Sequence, residues 1–140
     1  MQADAIFIPV SVLAIWTGVV LLLTGFRRLW AIRGGQLSPD AFKEGESREV
    51  PGAVRVVNRN LVNLLEMPVL FYVVCICFYV TGRANSGVLA LAWIYVGLRV
   101  AHSIVHLTYN HVRHRFLVFA TSNLVLLALW VRFVLTLNRG

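Results

Sequence analysis

Four long runs of apolar residues, separated by polar connections, set the first expectation for the 140-residue chain. Residues 5–26, "AIFIPVSVLAIWTGVVLLLTGF", carry no charge over 22 positions. At about 1.5 Å per residue, such a run crosses about 30 Å of hydrocarbon as a helix. The first helix is therefore predicted over 5–30, ending in "RRLWAIRGG". There Arg27, Arg28 and Arg33 reach headgroups, Trp30 suits the interface, and Gly34-Gly35 stop the helix. A second helix is predicted over 53–81, where Arg55, Arg59, Asn63 and Glu66 recur at helical spacing before an apolar tail. Pro68 removes a backbone donor and predicts a bend close to Glu66. The turn "TGRANSG" leads to a third segment over 88–112, and the basic link "HVRHR" to a fourth over 116–137, with Arg132 placed to snorkel.

Between the first two helices, residues 31–54 contain the only long polar stretch, punctuated by Pro39, Gly45, Pro51 and Gly52, and read as a long loop. The prediction is an all-α, integral membrane four-helix bundle, a single transmembrane domain over 1–140 with no internal repeat. The opening "MQADA" has an acid and no base, unlike the basic start of a signal peptide, so the first segment is expected to be retained.

Composition agrees: 59% of residues are hydrophobic and the mean hydropathy is +0.75, far above an ordinary soluble domain. The net charge of +7 raises nucleic acid as a partner, but the bases cluster between apolar segments and neither a recognition-helix nor an aromatic-basic strand pattern is present. Arg27, Arg28, Arg33, Lys43, Arg48, Arg113 and Arg115 fall in or beside the first and third connections, against Arg83 and Arg139 on the other side. That bias places the first and third connections, including the long loop, in the cytoplasm and both termini on the non-cytoplasmic side. The expected location is a multi-pass position in the bilayer, the cytoplasmic (inner) membrane if the source is bacterial. Cys75 and Cys77 stand two apart, so on a helix they face differently and read as apolar core.

The informative residues are the polar ones that spanning helices do not need. Arg59, Asn63 and Glu66, at i, i+4 and i+7, stack on one face over two turns. A lone charge near hydrocarbon costs about 2.5–3.5 kcal/mol even on the mild insertion scale, so Glu66 requires an opposite charge or a water-lined cavity. Arg59 shares its face and Arg99 offers a partner on the third helix. A structural ion pair joining helices two and three and a buried ligand site both fit this spacing. Arg99, His102 and His106 share a face at i, i+3 and i+7. The two histidines are one turn apart, but a zinc site wants further converging ligands, so no metal is expected. Arg113 and Arg115 oppose the dipole at the start of the fourth helix, as topology signals or as an anion site.

At "RNLVNLLEMP" and "LRVAHSIVHLTYNHVRHRF" the chain resembles the membrane-associated proteins in eicosanoid and glutathione metabolism, which include microsomal glutathione transferases. The resemblance extends in organisation over residues 5–137. It implies a homotrimer, with glutathione enclosed between helices one and two of one subunit and three and four of the next. It also implies that Arg59, Asn63 and Glu66 hold glutathione, that Arg99 and His102 support the pocket, and that Arg115 stabilises the thiolate. His106 stands where catalytic relatives carry a tyrosine that contacts glutathione, and is expected to bind glutathione by a hydrogen bond in its place. Phe116 and Phe119 replace a serine and tyrosine of one branch and offer only apolar walls.

Two functions follow from these expectations. One is a glutathione-dependent transferase or peroxidase acting on lipophilic small-molecule electrophiles or lipid hydroperoxides that arrive through the lipid bilayer. The other is a non-catalytic membrane scaffold of the same fold, favoured by His106, Phe116 and Phe119. A transporter lacks support because no pair of broken helices is evident, and an ion channel lacks a specified pore.

Overall fold

The computed structural model describes residues 3–36, 38, 40 and 50–137. After a short 3-10 turn at Ala3–Ile6 come four helices: α1 Phe7–Arg33, α2 Gly52–Val80, α3 Ser86–Leu107 and α4 Val112–Leu137. No strand occurs among the described residues. Each helix is long and apolar enough to cross a membrane. Most of the long connection between α1 and α2, residues 37, 39 and 41–49, lies outside the described residues.

The helix ends follow local chemistry more closely than hydropathy does. Gly34 caps α1, and Gly35 at φ +68° takes a left-handed conformation that costs a glycine nothing. α3 begins at Ser86, ahead of its apolar run, because the Asn85 side chain accepts a hydrogen bond from Val88 N at 3.1 Å. It ends at Leu107, five residues before the predicted limit, where Asn110 turns the chain at φ 46°. Asparagine tolerates this region better than most residues. α4 then starts at Val112 rather than 116, so Arg113 and Arg115 stand in its first turns and not in the link. α2 runs through Pro68 to Val80 as one helix.

α1 packs mainly on α2, and α3 mainly on α4, with α3 resting on both α1 and α2 and α2 also meeting α4. The core contains Leu13, Val20, Leu64, Phe71, Phe78, Ala92 and Leu129. Phe71 stacks on Tyr95 at 4.5 Å between centroids, tying α2 to α3, and Phe78 meets Phe133 edge-on at 5.2 Å, tying α2 to α4. Large apolar side chains remain outside, among them Ile15, Leu22, Val80 and Leu124. On a spanning bundle this is the surface that meets acyl chains; in water it would be an association surface.

Some polar groups inside the bundle are absorbed by hydrogen bonds within and between helices. Thr24 donates to the carbonyl of Val20 at 2.8 Å, and Asn60 donates across to Ser103 Oγ at 2.6 Å, linking α2 and α3. Cys75 is buried and Cys77 half-buried, both as free thiols.

Candidate functional site

Towards the end of the bundle where α3 passes into α4, α2, α3 and α4 diverge around a cavity of about 590 Å³. From α2 come Arg59, Asn63 and Glu66; from α3, His102 and His106; from α4, Arg115, Phe116 and Phe119. Helical periodicity predicts the contributions of α2 and α3, and the family resemblance singles out those of α4, but only the fold brings the three faces together. The carboxylate expected to need a partner or a wet cavity has the cavity: Glu66 is exposed on its wall rather than sealed against an arginine.

Arg99 occupies a different place. It is fully buried and lies behind the wall, where Nη2 donates to the backbone carbonyl of Asn63. Its Cζ stands 5.6 Å from the centroid of the Phe119 ring, within cation–π range. Thus Arg99 bridges α3 to α2 through a carbonyl instead of forming the cross-helix ion pair that its spacing suggested. The Asn63 side chain meanwhile donates to the carbonyl of Arg59 at 2.9 Å, one turn back on α2.

His102 and His106 lie parallel with ring centroids 6.0 Å apart, and His102 faces Phe119 at 5.6 Å. Both imidazoles are almost completely buried, and neither Nδ1 has a hydrogen-bond partner among the described residues. An unsatisfied ring nitrogen in such a place is costly unless water or a ligand reaches it. No group of three or more His, Cys, Asp or Glu side chains converges among the described residues. The cationic groups do converge: Arg59 from α2 and Arg115 from α4 line the same cavity.

Arg115 is held from the turn that precedes its helix. Its Nη1 donates to Asn110 Oδ1 at 2.9 Å, and its backbone N to the carbonyl of His111 at 3.0 Å. The base therefore projects from the first turns of α4 with one side chain fixing its direction. His111 and His114, in and beside the link, stand with their rings tilted at 4.6 Å between centroids and do not line the cavity.

A profile of the family described as "MAPEG family" matches residues 6–135. The chain belongs to the MAPEG family. Searches of curated proteins and of solved structures gave no match. As a MAPEG protein it is a multi-pass integral membrane protein of glutathione and eicosanoid metabolism.

Three residues of this MAPEG cavity escaped the sequence pattern: Asn58, Val62 and Val112. Asn58, Val62 and Glu66 are spaced i, i+4 and i+8, so a second stripe beside Arg59 and Asn63 was available to be read. Asn58 is fixed by α1, since Arg28 Nη2 donates to its Oδ1 at 2.7 Å.

Asn110 gives a prediction that separates backbone from side chain. Asn110→Gly keeps the left-handed turn and loses the anchor of Arg115; Asn110→Ala loses both. The alanine variant should be less stable than the glycine variant by about 1 kcal/mol, read from thermal unfolding in detergent. Equal stability would show that the turn can relax.

Proposed function

We propose that this MAPEG protein is a glutathione-dependent transferase or peroxidase acting on lipophilic electrophiles or lipid hydroperoxides. The observation that carries the reading is the cavity itself: it gathers two arginines, a carboxylate, two imidazoles with buried unsatisfied nitrogens and two phenylalanines in one space. The donor set fits glutathione. Arg59 suits a carboxylate, Glu66 an amine, and the imidazoles offer hydrogen bonds to polar groups of the tripeptide. Arg115, directed by Asn110, supplies positive charge to a sulfur anion.

When bound, glutathione supplies the sulfur nucleophile or reductant. The chain's residues orient the peptide, favour the deprotonated thiol through Arg115, and present an apolar wall of Phe116 and Phe119 to a hydrophobic second substrate. No protein nucleophile is needed. The flank carrying Arg59, Glu66 and Phe116 is open, so a neighbouring subunit of a homotrimer would close it. In this reading the cavity opens towards the cytoplasm, with both chain termini on the opposite side.

His106, Phe116 and Phe119 support a second reading, a scaffold that keeps the fold without turnover. Purified protein in detergent should bind glutathione at or below millimolar concentration, measured by calorimetry. Absence of binding at millimolar glutathione would remove the cofactor from this reading and leave the scaffold.

A further inference from the structure

At the other end of the bundle, α3 and α4 enclose a second cavity of about 550 Å³ that shares no residue with the first. Its rim holds Asn85, Arg132 and Thr136, and its walls include Leu91, Val131 and Leu135. Arg83 and Arg132, the arginines at this end among the described residues, run against the charge bias that orients the chain, so topology does not explain them.

Their contacts differ in kind. Arg83 donates through Nη1 to the carbonyl of Thr136, in the last turn of α4, where a cation complements the helix dipole. Arg132 comes from within α4 and reaches α3, its Nη2 donating to Asn85 Oδ1 at 3.1 Å. Asn85 is the one hydrogen-bond partner of Arg132 among the described residues, although a guanidinium carries five N–H donors. Its seat depends on Gly87: a Cβ there would stand 2.9 Å from both Nη1 and Nη2. The guanidinium therefore lies across a glycine on the first turn of α3, itself the positive end of a helix dipole. No acidic side chain is among the described residues that line the cavity.

Depth identifies the occupant. Asn85 and Thr136 mark helix ends, and eight residues separate Thr136 from Ala128, the innermost α4 residue of the lining, about 12 Å of helix. That approaches half of a hydrocarbon core about 30 Å thick. A slot with cations at headgroup level and branched apolar side chains below matches one lipid, not a water-soluble anion, which would leave the Leu91, Val131 and Leu135 wall uncovered.

We propose that the α3–α4 groove at the Asn85–Arg132 end is a binding site for a phospholipid with an anionic headgroup. The phosphate meets Arg132 beside the start of α3, and an acyl chain follows Leu91, Val131 and Leu135. Arg83, neutralising the end of α4, leaves the rim with excess positive charge. A zwitterionic headgroup brings its own cation into that field and is disfavoured.

The test is native mass spectrometry of the full-length protein exchanged into an equimolar mixture of phosphatidylglycerol and phosphatidylcholine with identical chains. The wild-type protein should retain the anionic lipid at least about tenfold over the zwitterionic one, as expected for a charge-assisted contact. Arg132→Gln should bring the ratio close to one, and Gly87→Ala, which displaces the guanidinium without removing its charge, should lower it. Helical circular dichroism and the unfolding temperature establish that both variants are folded. Equal retention of both lipids by the wild type, or an unchanged preference in folded Arg132→Gln, would overturn the proposal. So would efficient disulfide formation between copies of Val131→Cys in a background lacking Cys75 and Cys77, because the groove would then be covered by a second chain.

Discussion

Replacing Arg115 with leucine is expected to leave glutathione able to bind but to abolish most of the ultraviolet thiolate signal at neutral pH. Leucine keeps much of the stem's apolar packing at the start of α4 and removes the charge. A close, partly desolvated guanidinium that favours a thiolate by about two pH units contributes about 2.7 kcal/mol, so its loss should shift formation of the signal upward by about two pH units. Turnover with a lipophilic electrophile should fall with the thiolate fraction, while glutathione affinity changes much less, since Arg59 and Glu66 remain on the wall. The split distinguishes Arg115 acting on sulfur from Arg115 acting as a topology signal. An unchanged thiolate population would leave only the topological role.

The placement of Arg115 also shows where the sequence ceases to be informative. Hydropathy locates a helix by its hydrocarbon-crossing part, and the apolar run of α4 begins at Phe116. Hydrogen bonding begins at Val112, because a basic first turn is helical without being apolar. The stop of α3 depends on one backbone conformation, Asn110 at φ 46°, which "TYNHV" permits but does not demand. Consequently the arginine was legible as a residue near a helix start, and its anchor on Asn110 was not.

Periodicity performed better on α2. Arg59, Asn63 and Glu66 share a face in any straight helix, and all three reach the cavity. The same logic placed Arg99 with His102 and His106 and gave the correct helix face, but a face carries no depth. Arg99 is buried against Asn63 and Phe119, whereas the histidines one and two turns later line the cavity. Contacts spanning distant segments were invisible altogether: Arg132 against Asn85 and Gly87 joins residues more than forty positions apart, and no spacing rule connects them. The helices and their faces were thus readable from local pattern, while the cavity, the second groove and the anchors depend on how the pairs α1–α2 and α3–α4 assemble.

Arg59→Ala should weaken glutathione binding about tenfold or more, with little effect on folding. The physical basis is the loss of one charge-assisted hydrogen bond to a carboxylate, about 1.5–3 kcal/mol, from an exposed residue on the cavity wall. Because the side chain is exposed, the variant opens no space in the core, and unfolding in detergent should stay within about 1 kcal/mol of the native protein, the upper range for an exposed charged contact. Arg59→Lys should recover only part of the affinity: an ammonium keeps the charge but cannot engage a carboxylate with the planar two-point geometry of a guanidinium. Calorimetry on the three proteins at one pH and salt concentration is sufficient. Equal affinity of Arg59→Ala and the native protein would place the tripeptide's carboxylates elsewhere and remove α2 from the recognition of glutathione. A loss in Arg59→Ala fully restored by lysine would show that α2 contributes net potential and not a directed bond.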